Sequence, residues 1–262
     1  MLMPKKYNAF SQHFVIIITL FLFLSCGKQQ YVINKTNVSI YKISDTISKS
    51  AEIESFIKPY RDHINKDLSK VLAYAPETLD KKGDWQCTIG NLLADITLQK
   101  CNPIFYKREQ KSIDICLLNH GGIRSVIPKG DVTARVAYEV MPFENSAIVV
   151  TLKGEQIQKM VNYIVLNKKA HPLAGMSFAI DKNNIAINIL IQGIPLDKNS
   201  YYNVVTSDYL VNGGDNMTFF SKATAKYDLD YKLRNIIIDY FTEVDTIPVI
   251  NDQRIIVETP NH

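Results

Sequence analysis

The sequence predicts an α+β fold, a single mixed-sheet domain with flanking helices. Three observations carry this. Apolar strand-like runs such as "SIDICLLN" (112–119) and "SAIVVTLKG" (146–154) are too continuous to face water on both sides. Amphipathic stretches such as "EQIQKMVNYIVLN" (155–167) place Ile157, Met160, Val161, Ile164 and Val165 on one helical face. The two kinds of segment mix without the strict strand–helix alternation of a fully parallel sheet.

Taken in order, "VSIYKISDTI" (38–47) alternates as a strand does. Residues 48–70 space Ile53, Phe56, Ile57, Tyr60, Ile64 and Leu68 as a helix, with Pro59 expected to kink or restart it. A short strand and turn follow in "VLAYAPETLD". A helix carries Leu92, Leu93, Ile96 and Leu98 in "IGNLLADITLQK", and a strand occupies "SIDICLLN". "GDVTARVAYEVMPF" suggests a turn and a short helix from about Thr133. After the strand at 146–153 and the helix at 155–167, strands are expected near 176–180, 185–191 and 201–206. A second glycine loop follows at 208–220, "DLDYKLRNIIIDYFTEV" is expected to be a helix, and "QRIIVE" closes as a strand.

The N-terminus has its own logic. Lys5 and Lys6 precede the apolar run Phe14–Ser25, which is short for a membrane span and matches a secretory signal. Cys26 at its end resembles the acylated first residue of a bacterial lipoprotein, although Phe23 stands where a smaller aliphatic residue is usual. An uncleaved anchor or a plain signal peptide are the alternatives. The expected organisation is a signal peptide at 1–25, a lipidated tether at 26–36 and a folded domain at 37–259. The expected location is the bacterial cell envelope, lipid-anchored and facing an extracytoplasmic compartment.

Composition excludes more than it assigns. Lys and Arg total 30 against 26 Asp and Glu, a net +4 with no basic stretch interleaved with aromatics, which argues against nucleic acid as a partner. Beyond Cys26 the chain has Cys87, Cys101 and Cys116 with no CxxC pair, and five scattered histidines, so a structural zinc site has almost no material. Outside the cytoplasm, three thiols allow one disulfide and one free cysteine.

Three short stretches could carry chemistry. In "NHGGIR" (119–124), Gly121 and Gly122 let the backbone approach a ligand, and Arg124 adds a forked cation suited to phosphate. In "NGGDNM" (212–217), Asp215 can accept two hydrogen bonds from vicinal sugar hydroxyls. In "MPFEN" (141–145), proline fixes the backbone beside Phe143, so the ring can be presented from a loop. Each alone is an ordinary turn or a core aromatic. Together with Tyr209 they supply what a nucleotide needs: ring faces for the base, a carboxylate for ribose and a cation for phosphate.

The same stretches, with "IGNLLAD" (89–95), resemble the C-terminal domain of the 5'-nucleotidases, which include the bacterial UDP-sugar hydrolases and ecto-5'-nucleotidase. The resemblance covers about residues 50–258. It implies that fold, and by position it implies Asn119 as the base-contacting amide and Arg124 as the phosphate-side cation. It also implies Phe143 and Tyr209 as the rings around the base, Asp215 as the ribose ligand, and Gly122, Asn145 and Gly175 as further pocket positions. Tyr209 stands where the family generally has Phe. The arginines usually found before "GNL" are missing, with Lys81 or Lys82 as possible replacements, and His120 replaces a smaller residue.

In that family hydrolysis belongs to an N-terminal metallophosphatase domain holding two metal ions. No Asp-x-His and no Gly-Asn-His-Glu motif occurs in this sequence. No catalytic residue, metal ligand or cofactor is therefore expected on this chain, and divalent metals are expected on a partner catalytic domain. The expectation is a nucleotide- or nucleoside-recognition domain of a split 5'-nucleotidase-type phosphohydrolase, with a separate metallophosphatase subunit and a lipid link to the membrane. A non-catalytic nucleotide-binding surface lipoprotein and a scaffold with a decayed pocket are the alternatives.

Overall fold

In the computed structural model, residues 9–23, 32–44 and 47–258 are described. They divide into two units, Met1–Ala51 and Glu52–His262. In the first, α1 (Ala9–Phe23) covers most of the predicted signal segment. Among the described residues no helix is long and apolar enough to cross a membrane. Cys26 lies outside the described residues. The strand expected at 38–47 is not formed among the described residues of that range. Residues 32–44 have no regular structure, and Val38, Ile40, Tyr41 and Ile43 are exposed. Alternation supplies strand propensity, but a strand also needs a ladder partner, and among the described residues this segment has none.

From the boundary between the units, α2 (Ala51–Leu68) runs through Pro59 as one helix and buries no side chain. A two-stranded antiparallel ribbon pairs β1 (Val71–Ala75) with β3 (Gly130–Thr133). Between them in sequence lie α3 (Thr88–Glu109), longer than predicted and continuing past Pro103, and β2 (Ile115–Leu117). Then come α4 (Ala134–Val140), β4 (Ser146–Lys153) and α5 (Gly154–Asn167). The strands β5 (Leu173–Ala174), β6 (Met176–Ile180), β7 (Ala186–Ile191), β8 (Ile194–Pro195) and β9 (Tyr201–Ser207) follow. The chain closes with α6 (Asp208–Val211), β10 (Ala225–Lys232), α7 (Leu233–Glu243) and β11 (Ile255–Val257).

The main sheet has five strands in the order β10-β4-β9-β2-β5, with β2 and β9 parallel and the other pairs antiparallel. A second mixed sheet has the order β11-β6-β7-β8, with β11 parallel to β6. The main sheet is buried on both faces, which explains the unbroken "AIVV" of β4. Ala147 and Val149 join one core with Leu92 and Leu93 of α3 and Ile236, Ile237 and Phe241 of α7. Ile148, Val150 and Leu152 join a second core with Ile157, Met160, Val161 and Ile164 of α5. Burying a side chain of this size stabilises by about 1.5–3 kcal/mol before entropy is subtracted.

One expectation is corrected. Residues 225–232 form an edge strand, not the start of a helix. Leu229 enters the first core with Tyr227 and Tyr231 packed against it, while Asp228 and Asp230 face outward, a period of two. The Ile-rich segment behind it hid that alternation inside a helical pattern. No disulfide forms among the described residues: Cys87, Cys101 and Cys116 are free and buried. Burial pushes the Cys101 thiol up to about 12, so it stays protonated.

The register sets up the functional edge. Because β2 and β9 are parallel, their C-terminal ends lie on one edge. Antiparallel pairing of Ala147 with Ser207 brings the start of β4 to the same edge. The loops after β2 and β9 and before β4 must therefore converge there.

Candidate functional site

Asn119 follows β2 and is buried, and its Nδ2 donates to Asp215 Oδ2 at 3.0 Å. The next residues, His120–Gly122, form one 3-10 turn closed by Gly122 N–H to Asn119 O at 3.0 Å. Neither Gly121 nor Gly122 has a positive φ. The glycine at 122 is needed for clearance, since a Cβ there would stand 2.9 Å from Asn119 Oδ1. Arg124 is exposed, tied through its N–H to Val140 O at 2.9 Å, with its guanidinium 5.9 Å from the Phe143 ring centre.

Phe143 is 41% exposed although it is a large apolar side chain. Its loop is pinned from below. Arg234 donates to Pro142 O at 3.2 Å and pairs with Glu144, Lys232 donates to Glu144 O at 2.7 Å, and Leu233 N–H donates to Asn145 O at 2.9 Å. Across the edge, the Ser207 side chain caps α6 by accepting from Leu210 N–H at 3.2 Å. Tyr209 on that helix is 44% exposed and donates its hydroxyl to Asp215 Oδ1 at 2.9 Å. Asp215 sits at φ 51°, an uncommon conformation for a residue with a side chain, and Tyr163 donates to its carbonyl at 2.8 Å.

These segments enclose a cavity of about 340 Å³ lined by Asn119, Gly121, Gly122, Arg124, Phe143, Asn145, Tyr209 and Asp215. Seven of the eight predicted positions are thus brought together. Gly175 is not. It lines a different cavity, beside Asp95, Gln192 and Arg254. Its φ is +74°, and a Cβ would fall 2.0 Å from Asp114 O, so a close backbone approach explains the glycine. A larger cleft of about 650 Å³ runs along α3 past Asp95 and Asp114, but no aromatic ring or cation lines it.

The structure also separates the two candidate lysines. Lys81 donates its Nζ to Ile123 O at 2.9 Å, one residue from Arg124. Burial, and secondarily the nearby Arg124, lower its ammonium below the usual lysine range. Among the described residues no carboxylate lies within ion-pair distance of Lys81 or Arg124. Lys82 is turned outward and pairs with Asp80. Two cations held together without a counter-charge are what an anion site requires.

His171 was missed as a site support, because a lone histidine carries no motif. It is 4% exposed and its Nδ1 accepts the His120 N–H at 3.2 Å. The neutral ring therefore carries its proton on Nε2, which has no partner. Burial, reinforced by His120, lowers its pKa to about 4. His120 itself pairs its Nδ1 with Ala170 O at 3.1 Å, so the two histidines lock the glycine turn to residues 170–171. Among the described residues no three His, Cys, Asp or Glu side chains stand together as metal ligands would.

The family model for the 5'-nucleotidase C-terminal domain matches residues 69–222, more than half of the chain. This chain belongs to that family. The 5'-nucleotidase precursor of Thermus thermophilus superposes over 78% of this chain and 42% of its own, with a TM-score of 0.67 and 26% identity. The trifunctional nucleotide phosphoesterase YfkN of Bacillus subtilis is 26% identical over 80% of this chain and 15% of its own length. The 5'-nucleotidase of Rattus norvegicus is 23% identical over 84% of this chain and 42% of its own. The chain thus spans less than half the length of these relatives. Within the 5'-nucleotidase C-terminal fold, the converging loops described above occupy the carboxyl edge of the central parallel pair.

Proposed function

We propose that this chain recognises a nucleotide at the edge of the main sheet and is the substrate-recognition half of a 5'-nucleotidase-type phosphohydrolase. One observation carries the reading: two half-exposed rings, a carboxylate, two side-chain amides and an arginine that no carboxylate pairs among the described residues line one cavity. Phe143 and Tyr209 hold the base, each ring worth roughly 1–3 kcal/mol. Asn119 and Asn145 supply amides at the base edge, and Asp215 accepts from the sugar. Arg124 meets the phosphate, with Lys81 beneath it in place of the missing arginines.

Hydrolysis in this proposal is done elsewhere. The divalent metals that activate water belong to a metallophosphatase on a separate polypeptide, which docks near the 119–124, 143 and 209–215 loops. Lipidation at Cys26 and the tether at 26–36 would hold the domain on the extracytoplasmic side of a bacterial envelope. The second reading is a nucleotide- or nucleoside-binding surface lipoprotein with no catalytic partner. The absence of arginine before "IGNLLAD" favours it, because a weakened lysine grips phosphate less firmly than a guanidinium.

The test is phosphate release from AMP and UDP-glucose with Mn²⁺ or Zn²⁺. The expected result is no turnover by the chain alone and turnover after addition of a metallophosphatase lacking this domain. Efficient hydrolysis by the isolated chain overturns the division of labour. Turnover by no combination, with AMP still bound, favours the second reading.

A further inference from the structure

In the nucleotide reading Asp215 is the sugar ligand, and in this structure both of its carboxylate oxygens already have donors. Oδ2 accepts from Asn119 Nδ2 at 3.0 Å and Oδ1 accepts from the Tyr209 hydroxyl at 2.9 Å. The Asp215 backbone is fixed at φ 51°, the nearby Gly213 is at φ 95°, and Tyr163 holds the Asp215 carbonyl at 2.8 Å.

Tyr209 is delivered to Oδ1 by packing. A Cβ at Gly214 would fall 2.4 to 2.6 Å from three atoms of the Tyr209 ring, so the ring lies directly on the glycine backbone. From that seat its hydroxyl donates to the neighbouring side chain, Asp215. The bond to Asp215 also raises the phenol above its ordinary pKa, which keeps it a donor. A phenylalanine at 209 would present the same ring and leave Oδ1 open.

Resting on the nucleotide reading above, we propose that the Tyr209 hydroxyl takes the place of one ligand hydroxyl on Asp215, so that this pocket reads a sugar diol at one hydroxyl and not at both. A carboxylate oxygen has room for a second donor: Oδ2 keeps that room for a ligand hydroxyl beside the Asn119 amide, while at Oδ1 the ligand hydroxyl competes with a hydroxyl of its own kind. Tyr209 is then a specificity-determining residue. It relaxes discrimination between ribonucleotides and their deoxy counterparts, and it does so through its hydroxyl alone.

The experiment is calorimetric titration of AMP, 2′-deoxy-AMP and 3′-deoxy-AMP into the full chain, purified in detergent, and into Tyr209→Phe. For the wild type, at least one deoxy ligand binds within about threefold of AMP. For Tyr209→Phe, both deoxy ligands bind about tenfold or more weakly than AMP, the loss expected for a hydrogen bond to a charged acceptor. The substitution keeps the ring on Gly214, so an unchanged melting temperature is expected alongside. Tenfold losses with both deoxy ligands in the wild type overturn the inference, as does a Tyr209→Phe pattern identical to the wild type. Failure of the nucleotide reading has a different signature: neither protein binds any of the three ligands, and the inference falls with it.

Discussion

The two glycine loops of the site share a sequence pattern and differ in why they need it. At 121–122 both glycines have ordinary negative φ, and what matters is clearance: a side chain at 122 would strike Asn119. At 213–214 the first glycine is at φ 95° with open space around it, and the second lies under the Tyr209 ring. Each loop is also propped from behind, the first by His171 accepting from His120 and the second by Tyr163 donating to Asp215. A Gly-Gly pair therefore carries no single meaning. One of the four glycines answers to backbone conformation, and two answer to neighbouring side chains.

The difference between the props gives the largest expected effect. His171 is held at about 4 in the folded state, below the ordinary histidine value of about 6.5. Between those pH values the unfolded chain binds more protons, so stability is present above about pH 6.5 and is lost as pH falls toward 4. The loss reaches roughly 3 kcal/mol from this group. Melting temperatures from pH 7 to 4.5 should fall more steeply for the wild type than for His171→Asn, which keeps an acceptor for the His120 N–H but does not titrate. Equal slopes would show that His171 does not support the loop in this way.

Next in size is Gly214→Val, which forces the Tyr209 ring off its seat. Overpacking of this kind costs about 1–3 kcal/mol, and AMP affinity should drop at least about tenfold in the same titration. Gly122→Ala is gentler: the Asn119 amide must shift by a few tenths of an ångström, weakening its bond to Asp215. A severalfold loss of AMP affinity with a stability change near 1 kcal/mol is expected. Gly213→Ala should be the smallest, about 1 kcal/mol of backbone strain measured by urea denaturation and no change in affinity. If Gly213→Ala weakens AMP binding as much as Gly122→Ala, the contrast between the loops is wrong.

Much of this was legible in the residues, and the limits have physical causes. The central strands and α5 stand out because burial on two faces or one imposes a pattern on the chain itself. The site loops stand out because Asn119, Arg124, Phe143 and Asp215 are chemically specific residues beside glycine or proline. The strand at 225–232 was hidden because edge strands need apolar residues on one face only, and "DLDYK" runs straight into α7. Gly175 is a pocket position by the family resemblance alone, and the close approach of Asp114 O accounts for the glycine without a ligand. His171 acts through a contact that joins segments 51 residues apart, and the 42-residue Lys81–Ile123 bond is what separates Lys81 from Lys82, which the sequence left equivalent; no local pattern encodes such pairs. The strand expected at 38–47 failed for the complementary reason: its alternation is real, but sheet pairing is a property of two segments.

The most direct test of the central claim is a calorimetric titration of AMP into the full chain and into Phe143→Ala and Asp215→Ala at one fixed salt concentration. The pocket described here predicts saturable binding at a single site, weakened by about tenfold or more in each variant. Unchanged affinity in both variants would contradict it, because the ring and the carboxylate would then line a cavity that the nucleotide does not use.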